Sequence, residues 1–123
     1  MSGDRRLPRH ARCLIEEGWT QHADARAADG SAVHPCDRRA VSWSLLGALV
    51  AAVENVAASE GEHAAIAQLA CTCNVLAGLL DTDSLEEWND ARERVRDDVV
   101  AALDQAATDV LGQQDDFPSF PRN

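Results

Sequence analysis

The sequence predicts a single all-α domain with four to five helices around one core. Three observations carry that expectation. Alanine is the most frequent residue, followed by leucine and valine, whereas isoleucine occurs only at Ile15 and Ile66 and tyrosine is absent. Alanine and leucine are the strongest apolar helix formers, and strands have little β-branched or aromatic material to be built from. Several segments repeat apolar residues at helical spacing, and two capping patterns, Ser59 with Glu62 and Ser84 with Glu87, stand ahead of helical runs. At 123 residues, folding removes roughly two-thirds of the surface of the unfolded chain, which suffices for one core.

The first helix is expected over 7–17, where Leu7, Ala11, Leu14 and Ile15 form one stripe. Gly18 reads as the residue beyond the helix end, where a positive φ is cheap. Residues 23–36 read as irregular, with Asp29-Gly30 as a turn and Pro35 as a breaker. Asp37 is the expected N-cap of the second helix. Val41, Leu45, Ala48, Leu49, Ala52, Val53 and Val56 fill one of its faces and Trp43, Leu46 and Val50 another, the pattern of a central helix. Gly47 inside it costs about 1 kcal/mol relative to alanine, which calls for the close approach of a neighbouring backbone.

The third helix opens at the Ser59/Glu62 pattern, with Ile66, Leu69, Ala70, Cys73, Leu76, Ala77 and Leu80 as its core stripe. A second stripe of Ala64, Ala67, Cys71 and Gly78 is small enough for another helix to pack closely. After Ser84, a helix starts at Leu85 and breaks at Asn89-Asp90. Asp90 is expected to cap the continuation, whose stripe is Val95, Val99, Ala102, Leu103, Ala106 and Val110. Gly112 is the expected end. The organisation is thus a helical domain over 1–112 and a tail over 113–123, whose Phe117-Pro118-Ser119-Phe120-Pro121 cannot extend a helix.

Every side-chain cation is arginine and the formal net charge is −10. The arginine bias fits a GC-rich, actinobacterial genome. The charge repels phosphates, so no nucleic-acid partner is expected, and Arg5, Arg6, Arg9 and Arg12 read as a solvated helix face. No apolar run is expected to reach the roughly 20 residues of a membrane span, and the N-terminus has no uninterrupted apolar signal region. A cytoplasmic protein without membrane association is expected. Of the cysteines Cys13, Cys36, Cys71 and Cys73, the last two would lie about 200° apart on a helix, unable to bond each other or share a metal. His34 and Cys36 flank Pro35, but no second pair completes a zinc set. Reduced, mostly buried thiols are expected, with no metal and no cofactor.

No phosphate-binding glycine loop, HExxH, GxSxG or paired CxxC is present. What remains is Trp19 with Gln21, Trp43, and the cluster Trp88-Asn89-Asp90. In the plainer reading Trp88 belongs to the core, Asn89 and Asp90 are caps, and His22, His34 and His63 are loop or surface residues. In the sharper one Trp19, Gln21, Trp43, Trp88 and Asn89 line a ligand pocket in which Asp90 is the catalytic acid or base. The first suits a binding or regulatory module that associates as a homo-oligomer. The second suits a cofactor-independent cyclase, isomerase or hydrolase acting on a small molecule of a biosynthetic pathway.

These residues carry a resemblance. The chain is similar to small actinobacterial and phage proteins of unknown function with the pattern G-W-x-Q, then C-x-x-G-A-L/I, then W-N-D. The matching segments are Gly18-Trp19-Thr20-Gln21, Trp43-Ser44-Leu45-Leu46-Gly47-Ala48-Leu49 and Trp88-Asn89-Asp90, and Ala27-Ala28-Asp29-Gly30 matches the usual loop. The similarity covers about residues 10–111. The chain departs from the pattern at Ser44, often cysteine, and at His22, often glycine. At Ala91-Arg92-Glu93-Arg94 relatives have a Pro-Gly turn and a threonine cap, which implies an earlier start of the last helix here. The resemblance implies a helical fold in which the motifs group together. It implies no activity.

Overall fold

A computed structural model describes the backbone of residues 3–119 and the side chains of residues 6–108. The Arg5 and Val110 side chains, the Phe117 side chain of the tail and residues 120–123 lie outside that description. Four helices, α1 (Gly3–Glu17), α2 (Leu45–Glu60), α3 (Glu62–Leu80) and α5 (Arg96–Ser119), pack in a ring, each against the next and α5 against α1. A short α4 (Leu85–Asn89) joins α3 to α5. The core is built from Leu7, Ala11 and Ile15 of α1, Leu45, Ala48, Leu49, Ala52 and Val56 of α2, Ala65 and Leu76 of α3, and Val99, Leu103 and Ala106 of α5.

The bulk is helical as expected, but the α1–α2 connection contains a small antiparallel sheet, β1 (Ala25–Ala27) with β2 (Ala40–Trp43). The cause is local: Val41 and Trp43 supply a β-branched and an aromatic residue, and β2 also bonds backward. The Thr20 N–H donates to the Trp43 carbonyl at 3.1 Å and the Trp43 N–H to the Gly18 carbonyl at 3.0 Å. Helix α2 therefore starts at Leu45, with Ser44 as N-cap accepting from the Gly47 N–H at 3.0 Å. Asp37 does not cap it. Its carboxylate closes a turn with the Arg39 N–H at 2.8 Å.

Two glycines owe their place to close packing. A Cβ on Gly47 would run into the Asp24 carbonyl, the backbone approach the sequence called for. A Cβ on Gly18 would run into the Val41 carbonyl, and Gly18 is not among the positive-φ residues. Steric room at β2, rather than a left-handed cap, is what requires it.

The Ser59/Glu62 capping box does not form. Ser59 lies inside α2, where its hydroxyl donates to the Val56 carbonyl at 3.2 Å. The joint is Gly61 alone, at φ 95°, whose N–H closes α2 on the Ala57 carbonyl. Only glycine adopts such a conformation cheaply.

Helix α3 is rotated from expectation. It buries Ala65, Gln68, Thr72, Val75 and Leu76, while Ile66 is 52% and Leu79 38% exposed. Ala70 is exposed as well, and Leu69, Cys73, Ala77 and Leu80 are half-buried. The small stripe does not form the close helix contact expected of it: Ala67, Cys71 and Gly78 are exposed, and Ala64 is half-buried. A helix apolar all round does not encode its own rotation. On the buried side a polar relay joins three helices, with Gln68 Nε2 donating to Glu60 Oε1 and Arg6 of α1 to Glu60 Oε2, both at 2.9 Å. No Asp, Glu, Lys or Arg stands between Glu62 and Asp81. By length and composition α3 is long and apolar enough to cross a membrane, which corrects the expectation that no segment is.

Ser84 caps α4, accepting from the Glu87 N–H at 3.1 Å, and the break falls at Asn89-Asp90 as expected. Asp90 does not cap the next helix. Helix α5 begins at Arg96, and the Val95 N–H is taken by Asp98 Oδ2 at 3.2 Å. Val95, expected in the core stripe, is 54% exposed. Gly112 does not end α5, which continues to Ser119. An interior glycine costs only about 1 kcal/mol, and Phe117-Pro118-Ser119, expected to lie beyond any helix, fall inside the last turn of α5. The four cysteines are free, with Cys13 and Cys71 exposed and Cys36 and Cys73 half-buried, so the thiols are less buried than the sequence suggested.

Candidate functional site

The three motifs meet at one end of the bundle, where α1 ends, α2 begins and α4 crosses between them. Their centre is Asn89, 0% exposed. Its Oδ1 accepts from the Trp19 indole Nε1–H at 2.7 Å and from the Leu45 N–H at 3.0 Å. Its Nδ2 donates to the Thr20 carbonyl at 3.1 Å and to Asp90 Oδ1 at 3.0 Å. Both acceptor positions and both donors of the amide are thus used. The Leu45 N–H is one of the first-turn donors of α2 that no intrahelical carbonyl can satisfy, so Asn89 supplements Ser44 as a cap from a distant segment.

Around this amide the remaining motif residues also spend their polar atoms on backbone. Gln21 Nε2 donates to the Asn89 and Ala91 carbonyls, both at 2.9 Å. The Trp43 Nε1–H donates to the Pro35 carbonyl at 3.0 Å, with the ring 7% exposed. Trp88 is half-buried, and the Arg94 guanidinium stacks on its ring at 3.8 Å while Arg94 Nε donates to the Trp88 carbonyl at 2.8 Å. The structure therefore brings Trp19, Gln21, Asn89 and Asp90 into one bonded cluster. Trp43 joins it through a backbone bridge to Trp19. Trp88 faces Arg94 instead.

An open hollow of about 420 Å³ lies beside the cluster, lined by His22, Ala23, Asp24, Ser44, Glu86 and Asp90. Asp90 is the one residue of the sequence-derived set on its wall. Asp90 Oδ1 accepts from the His22 N–H at 2.9 Å, and Oδ2 lies 3.6 Å from His22 Nδ1. His22 stands at φ 65°, the left-handed region in which glycine is favoured. Sequence reasoning gives His22 no role beyond the loop. The signal that singles it out is the resemblance, which has glycine at this position. Arg26 is missed as well: its guanidinium donates to Thr20 Oγ1 and the Gly30 carbonyl at 2.9 Å and to the Gln21 carbonyl at 3.3 Å, locking the loop that carries Gln21 and His22.

A second hollow, about 580 Å³, is lined by His34, Cys36, Val50, Val53, Glu54, Ala57, Ala58, Glu62 and Leu69. Burial, and then the hydrogen-bonded Glu54 carboxylate, push the Cys36 thiol above its ordinary pKa, which disfavours the thiolate that a nucleophile or metal ligand needs. The Cys36 N–H donates to His34 Nδ1 at 3.0 Å. Among the described residues no group of three or more His, Cys, Asp or Glu side chains is placed to hold a metal ion. The described members of the N-terminal arginine cluster are partly paired, Arg6 with Glu60 and Arg12 with Glu16 and Asp104.

No curated protein and no solved structure matches the chain. A family of unknown function, DUF6197, matches residues 4–109, a range that holds every motif of the Asn89 cluster and the packed core of the four-helix ring. The chain belongs to the DUF6197 family.

Proposed function

We propose that this chain is a small, non-catalytic interaction module that associates through the outer face of α3. One observation carries the reading. Helix α3 buries Gln68 and Thr72 beside Ala65, Val75 and Leu76, yet leaves Ile66 and Leu79 exposed on the two flanks of its outer side, where burial of apolar surface would be favourable. A face of that kind is stabilised by a partner that removes it from water. The Asn89 cluster supports the same reading, since its amides and indoles are committed to holding segments together. A cytoplasmic setting accords with free thiols, two of them exposed. Sedimentation equilibrium tests the proposal. The wild type is expected to associate with rising concentration, and Ile66→Glu and Leu79→Glu to remain monomeric with unchanged helicity. Wild type that stays monomeric, or variants that associate equally, would refute it.

A second reading rests on the His22–Asp90 pair at the wall of the 420 Å³ hollow: a cofactor-independent enzyme in which Asp90 exchanges a proton with a small-molecule substrate. Asp90→Asn separates the two readings, because the amide oxygen still accepts the His22 N–H but the side chain exchanges no proton at neutral pH. Small molecules found by a change in tryptophan fluorescence would be converted by the wild type and only bound by the variant. If no such conversion occurs in the wild type, this second reading fails.

A further inference from the structure

The hollow of about 580 Å³ lies between the turn that carries His34 and Cys36, the later turns of α2 and the start of α3. Small-molecule sites have this size, roughly 300–1,000 Å³. Val50, Val53, Ala57 and Leu69 give the hollow an apolar wall, and its two charged residues, Glu54 and Glu62, are both carboxylates. No arginine lines it. His34 accepts the Cys36 N–H at Nδ1, and a ring with a free lone pair there is neutral. None of the ion pairs among the described residues involves Glu54 or Glu62, whereas Glu60, which lies between them in sequence, is taken by Arg6. Glu54 instead accepts from the Cys36 thiol, a weak and uncharged donor. A neighbouring hollow of about 390 Å³ meets the first at Cys36, Glu54 and Ala58, and no arginine lines it either. Glu54 thus stands on the wall that two hollows share.

The apolar wall rewards any hydrophobic body of the right size, and the carboxylates select its charge. An anion is repelled by both of them and by a chain of net charge −10. A neutral body leaves them to water. A cation gains a partner where the surrounding apolar surface thins the solvent and strengthens the attraction. A divalent metal ion fits poorly, because it takes six or more oxygens and no group of three or more His, Cys, Asp or Glu side chains stands ready for one among the described residues. A primary ammonium needs only acceptors for its three N–H donors. We propose that the 580 Å³ hollow binds a small organic amine, with its ammonium on Glu54 in the field of Glu62 and its apolar body against Val50, Val53, Ala57 and Leu69. The site belongs to the single chain and does not depend on association through α3.

Amide NMR titration of the dilute protein tests this, with phenethylamine as the probe and phenethyl alcohol and hydrocinnamate as its neutral and anionic counterparts. The amine is expected to shift the amides of Val53, Glu54, Ala57 and Leu69 and to saturate at millimolar concentration, and the alcohol and the carboxylate to bind at least ten-fold more weakly. Glu54 is exposed, and in Glu54→Gln the amide oxygen still accepts the thiol, so the fold is expected to persist. That variant should bind the amine at least five-fold more weakly and the alcohol as before. Equal binding of the three compounds would reduce the hollow to an apolar surface and overturn the proposal. So would amine binding that Glu54→Gln leaves unchanged, or the lack of a saturable shift. Shifts centred on His22, Asp24, Glu86 and Asp90 would place the amine in the other acidic hollow and overturn the assignment. Each of these outcomes leaves association through α3 standing, and a chain that stays monomeric leaves the amine site standing.

Discussion

The Asn89 cluster and α3 solve opposite problems. At the cluster, polar groups from Trp19, Thr20, Gln21, Leu45 and Asn89 are brought out of water, and nearly all find a partner inside the chain. In α3 the buried Thr72 hydroxyl and Gln68 Oε1 have no hydrogen-bond partner, while apolar side chains on the opposite side stay in water. One region is complete within the monomer. The other leaves apolar surface in water and buried polar atoms without a bond. Trp19, Gln21, Trp43 and Asn89, which stand out in the sequence for chemistry, spend their polar side-chain atoms on bonds inside the chain, and Ile66, which reads as ordinary core, is exposed.

The contrast is easiest to upset at Asn89. Asn89→Ala orphans the Trp19 indole and the Leu45 N–H and strips the Thr20 carbonyl of a donor. At about 1–3 kcal/mol for each buried group left unsatisfied, the expected loss is about 3–5 kcal/mol, a large part of the roughly 5–15 kcal/mol a domain commonly has. Urea unfolding measures it, and a loss below about 1 kcal/mol would show that the cluster is decorative. Gly47→Ala comes next. The better helix propensity of alanine favours the variant by about 1 kcal/mol, but its Cβ displaces the Asp24 carbonyl, which accepts from the Ser44 N–H at 3.0 Å. Overpacking of about 1–3 kcal/mol is expected to win, seen as a lower unfolding midpoint.

The same experiments on α3 should give little. Ala67→Leu at dilute protein concentration is expected to change the monomer's stability by less than about 0.5 kcal/mol, as surface substitutions do. A loss of about 1–3 kcal/mol would return Ala67 to a helix–helix contact inside the chain. Thr72→Val keeps the shape of a 1% exposed side chain and removes a hydroxyl without a partner, so it should be neutral or stabilising by up to about 1 kcal/mol.

How much of this was legible in the sequence depends on what local patterns encode. Val99, Leu103 and Ala106 were readable because α5 is amphipathic against a polar background, and the break at Asn89-Asp90 because Ser84 and Asn89 have turn and cap chemistry. The rotation of α3 was not, because apolar residues on every side leave the hydrophobic pattern without a direction, and the contacts on its buried side, among them the Gln68–Glu60 bond, come from other segments. The grouping of Trp19, Asn89 and Leu45 was suggested only by the co-occurrence of motifs. A bond between a side chain and a helix N-terminus forty-four residues earlier leaves no trace in spacing. Gly18 and Gly47 look alike in sequence, yet only Gly47 was read for the right reason, since a lone glycine does not say whether φ or steric room requires it.

The smallest expected effect is at the turn before β2. Arg39, bonding the carboxylate through its side chain and its N–H, holds Asp37 down to about 2. A folded-state pKa below the ordinary one means a contribution to stability that is present above about pH 4 and lost as pH falls toward 2. The group is exposed, so the contribution is small. Carboxyl NMR titration should place the Asp37 midpoint near 2 and Arg39→Ala should raise it. An unchanged midpoint in that variant would assign the shift elsewhere.

If Asn89 binds the three motif segments into one cooperative unit, native-state hydrogen exchange will show it, because the Trp19 indole N–H and the Leu45 N–H share a single acceptor, Asn89 Oδ1. Both protons are expected to exchange only through global unfolding, with the same opening free energy as the core amides of α2. Rapid or unequal exchange of the two would show that the segments open independently, and would contradict a single cooperative unit.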